Sequence, residues 1–340
     1  MTNEAIKIVS LNAQGLSASN HQKRRDVLHF LRKKKYSILC IQDTHFNKEI
    51  EHIVKAEWGG QVFFSSYSRN SRGVAIFMEN NFEFEVHKEI KDHSGNFLIL
   101  DITIEGHRIT LANIYAPNKD EPLFFINIKN EILKLGNAQI LIMGDWNLML
   151  DPTLDGKNYK NINNKKAREE VHKIIAELNM YEIWREENRD TRKYTWRRKI
   201  YNNQIQMGRL DFILASENIL TYCKQEKILP GYRSDHSMIT VNLEFSEPIE
   251  RRTFWKFNNS LLHDVAYVQK VKEEITKTKE EYTTNTSEQN EGETMNEPNM
   301  GYQLFLEVLL MKIRGMTIQY AARKKKKNLE EMESLEKEIK

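Results

Sequence analysis

The sequence predicts an α/β (α+β) fold in which two packed sheets are flanked by helices, and three observations predict it. Strand–helix–strand patterns stand at both ends of the first 245 residues. Runs of antiparallel strands lie between those ends, which a doubly wound parallel sheet would not show. Several strands are short continuous apolar runs bounded by Gly or polar residues, the pattern of a strand covered on both faces.

Taken in order, Ile6–Leu11 reads as a strand ending at Asn12, with Gly15 in the loop beyond. Lys23–Lys35 sets Val27, Leu28 and Leu31 among basic residues, a helix with its polar face in water. Tyr36–Gln42 is a second buried strand and ends on Asp43, Thr44 and His45. Val62–Ser65 and Gly73–Met78 are short strands around a polar loop, and Phe82–His87 follows. Phe97–Ile104 and Ile109–Tyr115 form an antiparallel hairpin about the turn Glu105–Arg108. Pro117-Asn118 breaks the chain, and Leu123–Leu135 has helical spacing.

Ile140–Met143 is a strand stopped at Gly144, where the missing side chain lets the backbone turn or approach a ligand closely. Asp145 and Asn147 follow, two apart, and on an extended chain they would face the same side. In α/β sheets ligands gather where such strands end. Ala167–Leu178 is amphipathic. Tyr194–Trp196 and Leu210–Ala215 read as strands around a basic, Asn-rich connection, and Ser237–Phe245 is the last clear strand.

Composition shifts near Pro248, so the expected division is a domain over residues 1–246 and a linker-like tail over 247–340. In the tail Phe254–Lys277 is weakly helical, and Leu304–Tyr320 has an apolar helical face. Thr278–Asn299 carries almost no apolar residues and is expected to be disordered, since burial there cannot offset ordering entropy. The basic cluster Arg323–Lys327 and the charged segment after it read as a solvated helix face.

The whole chain is 40% hydrophobic and 29% charged, with a net charge of only +3, so a basic surface would have to be local. Its two cysteines make neither a disulfide scaffold nor a zinc site, which points to a reducing, intracellular compartment. The N-terminus lacks the apolar core of a signal peptide, and no apolar run approaches membrane-spanning length.

Position carries the functional reading. Asn12, Asp43, Tyr115, Asp145, Asn147, Asp211 and the pair Asp235-His236 each lie at a strand end or just beyond one. Each alone has an ordinary role: Asn12 a turn former, Tyr115 half core, Asp211 a partner for Arg209, His236 a satisfied structural histidine. Together they are what a divalent-metal phosphodiesterase needs. A carboxylate holds Mg²⁺, which prefers oxygen ligands. Another acid orients or deprotonates a water, and hydrogen-bond donors spread over the phosphate oxygens as charge accumulates. A histidine suits phosphate binding or proton transfer.

These residues sit in SLNAQG at Ser10–Gly15, IQDTH at Ile41–His45, NIYAPN at Asn113–Asn118, GDWN at Gly144–Asn147, GRLDFIL at Gly208–Leu214 and SDHSMI at Ser234–Ile239. In that order the motifs resemble the exonuclease–endonuclease–phosphatase superfamily. More closely, they resemble the endonuclease domain of LINE-type (non-LTR) retrotransposons, which is similar to apurinic/apyrimidinic endonucleases. The resemblance spans residues 5–245, and Trp255–Leu262 with the later lysine run resembles the region joining that endonuclease to a reverse transcriptase. No polymerase motif follows, so a fragment or truncated copy of such a reading frame is expected.

The resemblance implies a four-layer sandwich of two mixed sheets and Mg²⁺-dependent nicking of double-stranded DNA, with Mn²⁺ as the alternative ion. The 3′-hydroxyl left behind would prime reverse transcription in the nucleus, with element RNA as a second partner through the rest of the protein. A monomer is expected. By position, Asp43 with Asn12 would hold the metal and Asp235 would lie near it. Asp145 would activate the water, helped by Asn147, and Tyr115 would contact the scissile phosphate. Asp211 would fix the tautomer of His236, which would sit on a phosphate oxygen. The basic, aromatic connection, with Trp196, Arg197, Arg198 and Lys199 flanked by Thr195 and Asn202, suits a polyanionic strand. Two positions depart from the family pattern: Asp43 stands where Glu is usual, one methylene shorter, and Gln14 stands where Asp or Asn is frequent. Other readings of the same scaffold are an abasic-site repair endonuclease, a phosphatase of small molecules or inositol lipids, and a decayed copy that binds DNA without cutting it.

Overall fold

The structure, a computed structural model, describes residues 5–159, 164–245, 257, 259–282 and 301–338. It divides into two compact units, Met1–Ile249 and Glu250–Lys340.

In the first unit the elements run β1 (Ile6–Asn12), α1 (His21–Lys33), β2 (Ile38–Gln42), α2 (Glu51–Trp58), β3 (Val62–Ser65) and β4 (Val74–Met78). They continue with β5 (Glu85–Lys91), β6 (Phe97–Ile104), β7 (His107–Tyr115), α3 (Pro122–Leu133), β8 (Ile140–Asp145), α4 (Pro152–Asp155) and β9 (Gly156–Lys157). Next come α5 (Lys165–Glu177), β10 (Met180–Glu182), α6 (Ile183–Glu187), β11 (Trp196–Lys199) and β12 (Ile205–Gly208). The unit closes with β13 (Asp211–Ser216), α7 (Glu217–Leu220), β14 (Cys223–Leu229) and β15 (Met238–Leu243). One six-stranded sheet has the order β14-β15-β1-β2-β4-β3, the other β10-β13-β8-β7-β6-β5, and β11-β12-β9 form a small third sheet. Both large sheets are mixed: β1–β2 and β7–β8 pair parallel, and the other pairs are antiparallel.

Alternation along the strands makes the layers. Ile8, Ile38, Cys40, Leu111, Leu141, Met143 and Ile213 face inward and form one core between the sheets. Their neighbours Val9, Leu39 and Ile41 face outward against Val27, Leu28 and Leu31 of α1 and Val54 and Trp58 of α2. On the other side Ala112, Ile142, Phe212 and Leu214 pack against Phe125 and Ile128 of α3 and Val171 and Ile174 of α5. The result is the expected four-layer sandwich, helices–sheet–sheet–helices. It also explains why the strands read as unbroken apolar runs, since both faces are covered.

Three local expectations change. Helix α2 was not anticipated; it is eight residues long, buries Val54 and Trp58 one turn apart, and stops at left-handed Gly59. Strand β14 is a mostly polar, bulged edge strand, and such charged edges lack the apolar signal. The strand expected at Phe82–His87 lies at Glu85–Lys91, while Phe82 and Phe84 pack against the inter-sheet core from the preceding loop.

In the second unit α8 (Val265–Tyr282) and α9 (Tyr302–Glu338) are long helices. Tyr267 Oη and Thr317 Oγ1 lie 2.7 Å apart, and Asp264 accepts from Tyr320 Oη at 2.9 Å and Lys324 Nζ at 2.6 Å. The onset of disorder expected at Thr278 is therefore corrected: α8 runs on to Tyr282, with Thr278 Oγ1 donating to Glu274 O. Residues 283–299 of that expectation lie outside the described residues. The apolar segment and the basic cluster expected in the tail belong to the single helix α9. Among the described residues no helix is long and apolar enough to cross a membrane.

Candidate active site

The inward-facing positions that are apolar in mid-strand turn polar at one end of the sandwich. Going up β1 the inner residues are Ile8, Ser10 and Asn12, up β7 Leu111, Asn113 and Tyr115, and up β8 Leu141, Met143 and Asp145. Register then sets the neighbours: Asp145 pairs with Tyr115 on one side and with Asp211 on the other. The loop before β15 brings in Asp235 and His236, with Ser234 Oγ donating to Asn12 O at 2.7 Å. Asn12, Asp43, Tyr115, Asp145, Asn147, Asp235 and His236 line one open cavity of about 480 Å³.

Two glycines make this packing possible. A Cβ on Gly144 would stand 2.0 Å from Ile114 O, and one on Gly231 would stand 1.8 Å from His236 O. The close approach at Gly144 is therefore to the neighbouring strand, and β8 runs straight through it to Asp145. Nor is the chain extended beyond. Asn147 has φ +49°, its N–H donates to Asp145 Oδ1 at 3.0 Å, and its Nδ2 donates to Ala116 O at 2.7 Å. Asp145 and Asn147 do converge, through a left-handed turn.

Gln14, Asp43, His45 and Arg72 share that left-handed conformation. It is disfavoured for residues with a side chain, and such strain gathers at functional sites. By alternation Asp43 would point outward with Leu39 and Ile41; its φ of +49° breaks the pattern, and the carboxylate lines the cavity. There Oδ1 accepts from Arg72 N at 3.2 Å and lies 3.0 Å from His45 Nε2.

The charged centre is a histidine between two acids. His236 Nδ1 is 2.8 Å from Asp211 Oδ2, and its Nε2 is 3.8 Å from Asp145 Oδ2. Asn12 Nδ2 donates to Asp145 Oδ2 at 2.8 Å. Burial pushes Asp145 up to about 7, with the Asp211 charge adding to it and His236, Asn12 and Asn147 opposing. For His236 burial acts downward, but the charges of Asp211 and Asp145 outweigh it and raise the imidazole to about 10. Burial, with the charges of Asp43 and Asp145 and a hydrogen bond to Asp43, raises the Tyr115 phenol, which stays protonated at neutral pH.

Asp145, Asp211 and His236 bring ligand-type atoms within 4.8 Å of one another, but the cationic imidazole already fills the place between the two acids, and a cation fits the other side of the cavity better. Asp235 Oδ2 accepts from Trp196 Nε1 at 3.1 Å, while its Oδ1 is buried without a hydrogen-bond partner. A buried carboxylate oxygen left unpaired is costly, and a metal ion is the natural partner for one beside Asn12 and Asp43.

The expected DNA-contacting residues separate. Strands β11 and β12 form a hairpin, so the first strand begins at Trp196 and the basic connection is itself sheet. Arg197 and Lys199 are exposed on it, whereas Arg198 reaches the cavity and lies 5.6 Å from the Trp196 ring centroid. Asn202 lies in the tip Tyr201–Asn203, and its side chain is outside the described residues. Thr195 is different, being 1% exposed, with Oγ1 accepting from the N–H groups of Leu210 and Asp211 at 3.0 Å each. It fastens Asp211 and offers no surface to a ligand. Arg209 does not pair with Asp211: it holds buried Asp155 at 2.8 Å and Glu182 at 2.8 Å.

Sequence reasoning missed Tyr159, which lines the cavity and whose phenol burial pushes up to about 12. It also missed Asn164, whose Nδ2 donates to Asn147 O at 2.9 Å. Both lie in a polar stretch of sequence with no periodicity to mark them.

A cavity lined by oxygen donors, an acid held near neutrality and a cationic histidine is that of a phosphoester-cleaving enzyme. The chain belongs to the endonuclease/exonuclease/phosphatase family, whose model matches residues 9–236. The Transposon TX1 uncharacterized 149 kDa protein of Xenopus laevis is 28% identical over 274 residues, 79% of this chain and 20% of that protein. This chain thus spans about a fifth of the length of that relative. Among solved structures, AP endonuclease LMAP from Leishmania major superposes with a TM-score of 0.59 at 16% identity, covering 72% of this chain and 89% of that one. The endonuclease domain of TRAS1, a telomere-specific non-LTR retrotransposon, gives a TM-score of 0.53 at 13% identity, covering 72% of this chain and all of that one (100%). The fold is theirs.

Proposed function

We propose that this chain is a Mg²⁺-dependent DNA endonuclease of a non-LTR retrotransposon, nicking duplex DNA to leave a 3′-hydroxyl and a 5′-phosphate. The observation that carries the reading is the Asp211–His236 pair facing Asp145 across 3.8 Å within an oxygen-lined cavity. Asp43, Asn12 and Asp235 would hold Mg²⁺, and Mn²⁺ suits the same oxygens. When bound, the ion supplies a positive charge against the phosphate oxygens.

The chain's own residues do the rest. Asp145, poised near neutral pH, takes a proton from the attacking water, oriented with the help of Asn147. The water oxygen bonds to phosphorus, the bond from phosphorus to the 3′ oxygen breaks, and that oxygen leaves and takes a proton from solvent water to become the hydroxyl. His236 donates from Nε2 to a non-bridging phosphate oxygen, while Asp211 keeps Nδ1 protonated. Tyr115 donates from its hydroxyl to the same phosphate. The β11–β12 hairpin, with Trp196, Arg197, Arg198, Lys199 and Asn202, lies along the DNA. In this reading residues 1–246 are the endonuclease domain, 247–340 lead to a polymerase that uses element RNA, and the nick is made in nuclear DNA.

Relaxation of supercoiled plasmid, with Mg²⁺ and with EDTA, tests this. The chain nicks only with the metal, a polymerase extends the nick, and Asp145→Ala or His236→Ala nearly abolishes it. Full nicking by either purified variant would remove the assignment. Plain duplex cut as readily as abasic duplex supports the retroelement role, and cutting confined to abasic sites supports repair.

A further inference from the structure

The two large sheets supply different halves of the site. Asn12, Asp43, Asp235 and His236 come from the sheet containing β1 and β2, and Tyr115, Asp145, Asn147 and Asp211 from the sheet containing β7 and β8. Whatever holds one sheet against the other therefore sets the distances across the cavity. Most of the layer between them is apolar, and apolar contact is non-directional. It resists separation far better than it resists a small slide.

One layer below the cavity is of another kind. Gln42 Nε2 reaches across the interface and donates to Asn113 Oδ1 at 2.7 Å. On its own sheet the same amide lies 2.8 Å from Ser10 Oγ and 3.0 Å from Cys40 O. Asn113 Nδ2 returns across the interface to Ile41 O at 3.1 Å and Ala75 O at 3.0 Å. Gln42 and Asn113 are fully buried, both at 0% exposure. Each stands beside the machinery in sequence: Gln42 immediately precedes Asp43, and Asn113 lies two before Tyr115 on the same face. These bonds are directional, and breaking them strands polar groups that cannot reach water.

We infer that Gln42 and Asn113 are positioning residues: their amide bridge fixes the register between the two sheets, and so the spacing of Asp43 and Asn12 against Tyr115 and Asp145. The inference rests on the endonuclease reading for its consequence, since neither side chain lines the cavity. A misplacement of about 1 Å at reacting groups lowers a rate about 100-fold, so a bridge that removes a small slide matters to rate without touching DNA.

The test uses the full chain and two changes. Gln42→Met with Asn113→Leu replaces both amides by apolar groups of similar length, which leaves no orphan within the pair but takes a donor from Ser10 Oγ, Ile41 O and Ala75 O, so a lowered thermal midpoint accompanies it. Asn113→Thr, a strand-forming residue too short for the bridge, carries the same test should the double variant not fold. Three readouts are taken: thermal midpoint, single-turnover nicking of supercoiled plasmid with its KM, and amide hydrogen exchange without metal or DNA. The expected result is a folded protein whose KM is little changed and whose nicking rate falls 10- to 100-fold. Exchange quickens at Thr44, His45, Tyr115 and Ala116 while mid-strand amides such as Val9 and Ile99 keep their protection. A folded variant that nicks at the wild-type rate, or whose exchange at those amides is unchanged, overturns the inference. Should the wild-type chain itself fail to nick, the endonuclease reading falls, and the exchange measurement alone decides whether the bridge holds the two strand ends.

Discussion

Replacing Asp145 with Asn separates the stability of the site from its chemistry. Asp145 is 1% exposed and faces Asp211 and His236. Burial and the Asp211 charge lift it from an ordinary 3.8 to about 7, so ionising it in the folded chain costs on the order of 4 kcal/mol, at about 1.4 kcal/mol per tenfold. The folded protein keeps this proton up to about pH 7, whereas the unfolded chain releases it near 3.8. Wild-type stability therefore falls as pH rises through that window. Asn has no proton to lose, so relative to wild type the variant gains about 3 kcal/mol between pH 4.5 and pH 8. It pays about 1–2 kcal/mol at every pH, because one amide oxygen cannot accept from both Asn12 Nδ2 and Asn147 N–H. The expected balance is a variant slightly less stable than wild type at pH 4.5 and about 2–3 kcal/mol more stable at pH 8, with nicking reduced by at least about 100-fold. Urea denaturation in EDTA at the two pH values, with plasmid nicking alongside, measures both. Parallel stability curves would show that Asp145 ionises like an ordinary carboxylate, and its role as a base poised near neutrality would fall.

Three further outcomes are expected. Nicking rises with pH as Asp145 loses its proton near 7 and falls as His236 loses its own near 10, so His236→Ala lowers the rate about 100- to 10,000-fold and removes the alkaline fall; persistence of that fall would place it on another group. Asp43→Asn raises the Mg²⁺ concentration for half-maximal nicking sharply, while Asp43→Glu, which restores the usual methylene, lowers it; an increase with Glu would mean that the left-handed backbone at Asp43 is adapted to the shorter acid. Replacing residues 202–206 at the hairpin tip with a short Gly turn flattens the distribution of nick sites mapped on plasmid, because minor-groove readout depends on what reaches into the groove; an unchanged pattern would deny the hairpin a part in target choice.

The layers and the cavity residues were legible because their signals are local. Apolar runs such as residues 38–41 and 140–143 mark strands covered on both faces, and a polar side chain at the end of each run marks the rim. Elements with a weak apolar signal escaped notice: α2 buries only two residues, and β14 is a charged edge. Tyr159 and Asn164 escaped for a similar reason, since a polar stretch of sequence has no period from which to read a direction.

The sequence by itself determined which residues stand at strand ends, and hence which chemistry the site contains. The resemblance already paired Asp211 with His236; tertiary structure alone decided the other partners. Arg209 went to Asp155, Thr195 turned inward to fasten Asp211, and Asp235 kept one oxygen unpaired. Asp43 entered the cavity only through a left-handed backbone that alternation does not foresee. Periodicity tells each strand which face is buried, because side-chain direction is a property of the local chain. Contacts between residues 25 to 133 positions apart, as in His236–Asp211 and Asn12–Asp145, depend instead on how strands register and how two sheets meet. Those relations are set by the packing of the whole core, and no single stretch of sequence carries them.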